Sequence, residues 1–543
     1  MYKQKIQHEI QKATGFTNTV IVERSKQKEH GDVATNIAMI LAKEQKRSPI
    51  EIANEIKSKI KIDDSLISHL EIASPGFINF IVGDYALAES LTEIQRTKET
   101  FGFAPKNSKE KVIVEYVSAN PTGDLHIGHG RQAVIGSSLV NLLEANGHNS
   151  LSEFYINDYG EQIDNLTDTA WAIYEKLQGE NPEWKEDYYP EDLILPYVKK
   201  IIINNSDKLS KEKLGELIKD IILKSQKELL LSCNVSFNDW FSETTLHKTK
   251  KVEEILNKLQ ERNYTYEHEG ALWFKAKEFG DVRDRVLVRS DNRATYLLAD
   301  IAYHTDKLKR GDILITIWGA DHHGQEISLK GALKALGYDE TKLEIIFVQL
   351  VSLKKGGHEV KMSKRAGTII TIEEVLNEVG VDAFRYFLIE SHSDNRMIFD
   401  MDLAKKQDKD NPVYYIQYAH ARCCSIFRQL EAIHELSLQE LSTSLFMKLF
   451  KVNNQEYEAT KALILRILDF PEEISLAAKN RSPNRIANYL KDLACEFHGF
   501  YTVCRVISQN IELTKARLGL VLATKITIAN GLKILGINAP QSM

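Results

Sequence analysis

In RSPIEIANEIKSKI the isoleucines Ile52, Ile56 and Ile60 recur at helical spacing. The residues before them predict a helix with Ser48 as N-cap, Pro49 at its first position and Glu51 closing a capping box. The next stretch, LEIASPGFINFIV, predicts two short strands broken at Pro75–Gly76. A polar helix and the linker FGFAPKNSKEK follow. Then an apolar strand from Val112 to Val117, a polar turn, a helix from about His129 to Asn146 stopped by Gly147, and the strand SEFYIN predict a βαβ unit in a parallel sheet. Residues of about 160–265 mix acidic and basic side chains without turn-rich spacing and are expected to be a helical insertion. Strand patterns resume with GALWFKA, RVLVRS, ILITIWGADH and IIFVQLVSL. Beyond Pro412, RIANYLKDLACEFHGFYTVCRVI and ARLGLVLATKITIANGLKILG are long amphipathic runs without strand signals. The expected organisation is α/β: a small α+β unit at 1–100, a parallel-sheet domain at 101–410 and an all-α domain at 411–543.

A chain of 543 residues exceeds one hydrophobic core, and its 43% hydrophobic and 27% charged residues are ordinary for a globular protein. We find no apolar run approaching the roughly 18 residues that cross a bilayer, and MYKQKIQHEI lacks the apolar centre of a signal peptide. The expectation is a cytoplasmic protein with no membrane partner. Cys233, Cys423, Cys424, Cys495 and Cys504 form no CxxC pair, which disfavours structural zinc and a disulfide framework. The net charge of −6 is unevenly spread. Residues 411–543 carry 15 Lys+Arg against 11 Asp+Glu, and residues 1–80 carry 12 against 10, so basic ends flank an acidic centre. Such ends suit a protein that grips a polyanion at its extremities.

The stretch KVIVEYVSANPTGDLHIGHGR lies where a parallel strand hands over to a helix, the position at which ligands collect in open α/β sheets. Helix N-terminal amides favour an anion there, and Gly128 permits close approach of a flat ring. His126 and His129, three residues apart, can both donate to phosphate oxygens. GHGRQA also satisfies the loose dinucleotide pattern GxGxxA, with Glu153 near the position of a ribose-binding acid. In that pattern the glycines follow the strand at once, whereas SANPTGDLHI intervenes here, so a dehydrogenase is disfavoured. Further on, HEVKMSKRAG carries Lys361 and Lys364 in a basic, glycine-flanked loop suited to closing on a triphosphate and stabilising a leaving pyrophosphate.

HIGH together with KMSKR resembles the class I aminoacyl-tRNA synthetases. The segments GALWFKAKEFGD, ATYLLADIAYH, GADHHG, NPVYYIQYAHARCCSI and GDVATNIAMILA and the terminal APQSM narrow the resemblance to the arginyl-tRNA synthetase family, over the whole chain. It implies a Rossmann-like catalytic domain that joins arginine to ATP as an adenylate, with Mg2+ carried by ATP, and then charges tRNA(Arg). His126, His129, Lys361 and Lys364 would be catalytic, Lys364 being the principal pyrophosphate contact. ATP would lie along Ala119, Asn120, Pro121, Thr122, Gly123, Asp124, Leu125, His126, Ile127, Gly128 and His129, and against Met362 and Ser363. A guanidinium, a planar fork of donors, calls for paired carboxylates. The family positions match Glu115 and Asp300, with Ser118, Asn120, Tyr296 and His323, or its neighbour His322, completing the arginine site. Asp321, His322 and His323 are contiguous and alternate in direction on a strand, so no protein-bound metal is expected. Arg481, Arg485 and Arg505 with Tyr489, Phe500 and Tyr501 offer phosphate contacts and base stacking to tRNA. The family further implies a monomer without an editing domain, since a site for a guanidinium can reject isosteres that lack it by about 10⁴-fold.

Overall fold

The computed structural model of the chain describes residues 2–25, 27–63, 65–106, 110–205, 207–360, 370–431 and 441–543. Its centre is a five-stranded, all-parallel sheet ordered Leu343–Val348, Ile313–Gly319, Lys111–Glu115, Asn149–Ile156 and Asp239–Ser242. Lys111–Glu115 is the middle strand, and Val112, Ile113 and Val114 are all buried because helices cover both faces of the sheet. Its register, Val114 beside Ile315 on one side and Ser152 on the other, makes its C-terminal end the point where the chain reverses direction across the sheet. The helix Ile127–Ala145 crosses from there to Asn149–Ile156, as the βαβ reading expects. Gly147, at φ +86°, ends it where a side chain would meet the Pro105 carbonyl.

Within 160–265 the helices Glu161–Leu177, Glu191–Asn204 and Lys211–Ser232 share a core of their own around Leu166, Ile173, Ile194, Val198, Leu214 and Ile218. The stretch is not wholly helical, because Asp239–Ser242 forms the edge strand of the central sheet. Four residues are too few to display an alternation. GALWFKA and RVLVRS also fall outside the parallel sheet: Ala271–Phe274 pairs antiparallel with Arg285–Val288 and with Thr265–His268 in a separate sheet. IIFVQLVSL splits, its second half forming Val351–Lys355 between His358–Val360 and Met397–Asp400.

In the amino-terminal unit a four-stranded antiparallel sheet packs with the helix Pro49–Lys59. Ser48 is its N-cap but makes no side-chain cap hydrogen bond, so the Ser48/Glu51 capping box does not form. From Pro412 the regular elements among the described residues are all helices. Contrary to the reading of apolar runs, the final helix, Ile511–Leu535, is long and apolar enough by composition to cross a membrane, with a mean hydropathy of 1.5 in its most apolar window. That window is 72% buried within the protein, the pattern of a helix surrounded by core. It lies against the helix Ile127–Ala145: Ser138 Oγ donates to the Leu535 carbonyl at 3.3 Å and Asn141 Nδ2 to that of Ile534 at 3.1 Å. The fully buried Arg385 ties the same junction, donating to the Leu535 and Cys233 carbonyls at 2.8 and 2.9 Å. Burial among carbonyls and hydroxyls pushes its guanidinium down to about 10.

Candidate active site

The polypeptide leaves the central strand at Glu115 and enters a strained turn. Val117 (φ +70°) and Ser118 (φ +44°) both occupy the left-handed region, costly for any residue with a side chain and most of all for a β-branched one. The Ser118 hydroxyl is fixed by donating to Glu115 Oε1 at 2.9 Å and accepting from the Tyr155 amide at 3.2 Å. The turn thus delivers residues 119–126 to the crevice beyond the sheet.

His126 is the N-cap of the helix that follows. Its Nδ1 accepts from the Gly128 amide at 3.1 Å, and His129 Nδ1 accepts from the His126 amide at 3.3 Å, a capping box built from two imidazoles. The rings stack with centroids 3.8 Å apart. Because each Nδ1 accepts from backbone, hydrogen bonding assigns the proton of each neutral ring to Nε2, leaving that atom the donor. A Cβ at Gly128 would sit 2.9 Å from the His126 ring, so the flat ring for which Gly128 makes room is the imidazole of its own motif.

The lysine stretch 361–369, with Lys361, Met362, Ser363 and Lys364, lies outside the described residues. Its exit is described and meets the histidine motif directly. The Ile127 amide donates to the Ile370 carbonyl at 3.2 Å and the Ile372 amide to that of Leu125 at 2.9 Å, with His126 and Thr371 bridged antiparallel. Thr371 and Glu374 then form the capping box of the next helix.

One helix, Tyr296–Arg310, carries Tyr296, Asp300 and Lys307 on one face. Lys307 Nζ is buried 2.7 Å from Glu115 Oε2 and 3.1 Å from Thr316 Oγ1, so Glu115 already holds a cation. Asp300 pairs with no cation among the described residues, and burial with the nearby charges of Glu115 and Glu243 pushes its carboxyl up to about 8, Lys307 opposing. Glu243, which the sequence reading missed, starts the helix at the C-terminal end of the edge strand and is 4% exposed. Burial pushes it up to about 7, with the neighbouring Tyr155 hydroxyl opposing and Asp158 adding to the rise. His247 Nε2 stands 3.5 Å from it. Glu115 and Glu243 act on Asp300 through their charges, and with one lysine among the three carboxyls the cluster is short of positive charge, the complement of a cationic ligand. Carboxyls raised in this way are partly protonated near neutral pH and must release protons when a guanidinium binds. For the arginine site that the resemblance implies here, the expected outcome is an arginine affinity that rises between about pH 6 and 9, with proton release at pH 7 measurable by titration calorimetry in buffers of different ionisation enthalpy. An affinity flat across that range contradicts the assignment.

Other expected residues lie as follows. Asn120 Nδ2 bonds Gln162 Oε1, and Tyr296 is 49% exposed, one helical turn before Asp300. His322 Nδ1 lies 3.2 Å from Gln325 Oε1. His323 stacks at 3.6 Å on Phe347 of the outer strand, on the far side of Ile313–Gly319 from Glu115. Glu153, the supposed ribose acid, is 1% exposed and held by Tyr303 Oη at 2.7 Å and by Arg310, which closes the dinucleotide reading. Among the described residues no group of three or more His, Cys, Asp and Glu is arranged to hold a metal.

The nucleic-acid assignments in the carboxy-terminal helices need correction. Tyr489 is 3% exposed, its hydroxyl on the Arg466 carbonyl, and Phe500 is fully buried, so neither can stack on a base. Arg481 forms a two-pronged pair with Glu344 at 2.8 Å, and Arg485 bonds Glu473 at 2.8 Å. Arg505 stays exposed. A different patch presents aromatic faces: Tyr414 and Tyr418 lie parallel on the helix Pro412–Glu431, and Arg422 stands 5.7 Å over the Tyr418 ring and 5.1 Å over that of Tyr501. Tyr418 and Tyr501 are each 36% exposed. The spacing of Tyr414, Tyr418 and Arg422 at every fourth residue was the signal in the sequence.

Comparison with known proteins covers the whole chain. Three family models match: the arginyl tRNA synthetase N terminal domain at 1–82, the catalytic domain of tRNA synthetases class I (R) at 91–419 and the DALR anticodon binding domain at 416–543. Arginine–tRNA ligase 1 of Halalkalibacterium halodurans is 42% identical over 558 residues, covering 100% of this chain and 99% of its own length. The arginine–tRNA ligase of Shouchella clausii is 43% identical over 535 residues, 97% and 94% of the two chains. The solved arginyl-tRNA synthetase of Thermus thermophilus shares the fold at 23% identity, with a TM-score of 0.79 and full coverage of both chains. With the histidine motif, the carboxylate pocket and the parallel sheet on which both stand, these matches establish that the chain belongs to the arginyl-tRNA synthetase family of class I.

Proposed function

We propose that the family's reaction, ATP-dependent ligation of arginine to tRNA, is divided among these residues as follows. Asp300 and Glu243 receive the guanidinium, while Lys307 neutralises Glu115 so that the pocket takes a single cation. Ser118 and Asn120 hold the amino and carboxylate end. The arginine carboxylate attacks the α-phosphorus of ATP, forming the acyl–phosphate bond as the bond to pyrophosphate breaks. Nε2–H of His126 and of His129 donate to phosphate oxygens, and Lys361 and Lys364 meet the departing pyrophosphate. Mg2+ enters as part of the nucleotide. The observation that carries this reading is the antiparallel seam of Leu125–Ile127 against Ile370–Ile372, which ties the exit of the lysine stretch to the histidine motif.

For tRNA, the exposed Tyr418, Arg422 and Tyr501 patch replaces the arginines taken up by internal pairs, with Arg505 on the same domain. Stacking on an aromatic face contributes about 1–3 kcal/mol per base, so Tyr418→Ala or Arg422→Ala is expected to raise KM for tRNA by about 5- to 150-fold. ATP binding should be unchanged. Steady-state aminoacylation decides it, and an unmoved tRNA KM in both variants contradicts the assignment. A cytoplasmic monomer accords with these substrates and with family habit.

A further inference from the structure

The loop that carries the ATP-site residues is held from outside by the three helices that share the insertion's own core. Gln162, on Glu161–Leu177, bonds the Asn120 side chain, and Tyr197 Oη, on Glu191–Asn204, donates to Asp124 Oδ1 at 2.6 Å. Gln226, on Lys211–Ser232, is 2% exposed and reaches furthest. Its Nε2 donates to the Asn120 carbonyl at 3.0 Å and to the Gly123 carbonyl at 2.8 Å, spanning the loop with one amide. Its Oε1 is buried and has no hydrogen-bond partner among the described residues, so the two loop carbonyls alone dictate how the amide is turned. A loop entered through left-handed Val117 and Ser118 does not keep its shape by local preference; surrounding contacts must determine it. Without Gln226, two main-chain acceptors in a partly buried turn lose their donor.

We infer that Gln226 is a positioning residue for adenylate formation, and that the helical insertion acts through it as a splint setting the path of residues 120–124. The inference rests on the adenylation reading of the site. Misplacing a reacting group by about 1 Å can cost about 10²-fold in rate, which is the scale expected here.

The test compares Gln226→Met, similar in length but without the donor, with Gln226→Glu in the full-length protein. Arginine-dependent pyrophosphate exchange by the unaltered protein, measured with tRNA present, is the control for the adenylation reading. Hydrogen exchange of residues 117–126 tests the splint separately from it. The Met variant is expected to lose about 10²-fold in kcat, to keep KM for arginine within about twofold and to exchange faster in 117–126 while the core strands stay protected. The Glu variant can donate only when protonated, so its kcat should fall as pH rises, a profile that general destabilisation would not produce. Turnover in both variants equal to that of the unaltered protein, or unchanged protection of 117–126, overturns the inference. A control without exchange, beside faster loop exchange in the Met variant, would instead count against the adenylation reading and leave the splint standing.

Discussion

Replacing Asp300 by Asn is expected to weaken arginine binding by about 3- to 500-fold at pH 7, and by about tenfold more at pH 9. The substitution keeps shape and removes charge. Breaking one side of a buried charge pair costs about 2–5 kcal/mol. Part of that is masked at pH 7, because burial and the neighbouring carboxylates hold the carboxyl up to about 8, and it must lose a proton before it pairs. Each pH unit below that value removes about 1.4 kcal/mol from its advantage over Asn. The deficit therefore grows as pH rises and levels off once Asp300 is ionised. Arginine KM at pH 6, 7, 8 and 9 for the two proteins measures it, with KM for ATP as the control. An arginine KM that Asp300→Asn leaves unchanged at pH 9 means that Glu243 or another group recognises the guanidinium.

His126→Ala and His129→Ala are each expected to slow adenylate formation by about 10²- to 10³-fold with little change in arginine affinity, the cost of removing one preorganised donor from a developing charge. The two losses should not multiply. The rings stack and cap one helix turn together, so removing either disturbs the other. His126→Asn separates the roles, since an Asn side chain can accept from the Gly128 amide as a cap without reproducing the imidazole donor. Normal turnover in both alanine variants removes the histidines from the chemistry.

What could be read from the chain depended on how local the cause was. The βαβ unit, the helix beginning at the histidine motif and the helical end announce themselves through periodicities set by neighbours in sequence. Asp239–Ser242 was missed because four residues between helices carry no period, and Glu243 went unseen with it: its importance comes from burial beside Tyr155 and Asp300, both remote in sequence. The same limit explains Arg481. Among aromatics it resembles a phosphate contact, yet its partner Glu344 lies 137 positions away, on the edge strand of the sheet. Tyr489 sat on the wrong face of a long amphipathic helix, and only packing shows which face is inward. By contrast Tyr296 and Asp300 were named from family resemblance alone and lie a helical turn apart on one helix, whereas nothing in the sequence pointed to the lysine that pairs with Glu115.

The central claim is that this crevice activates arginine through its carboxylates and its histidine motif. Pyrophosphate exchange from ATP, measured with each of the twenty amino acids in the presence and absence of tRNA, tests it most directly. The account predicts that arginine is the best substrate, with lysine far weaker because an ammonium cannot engage two carboxylates as a planar fork does. Exchange driven better by any other amino acid, or by none with tRNA present, would contradict it.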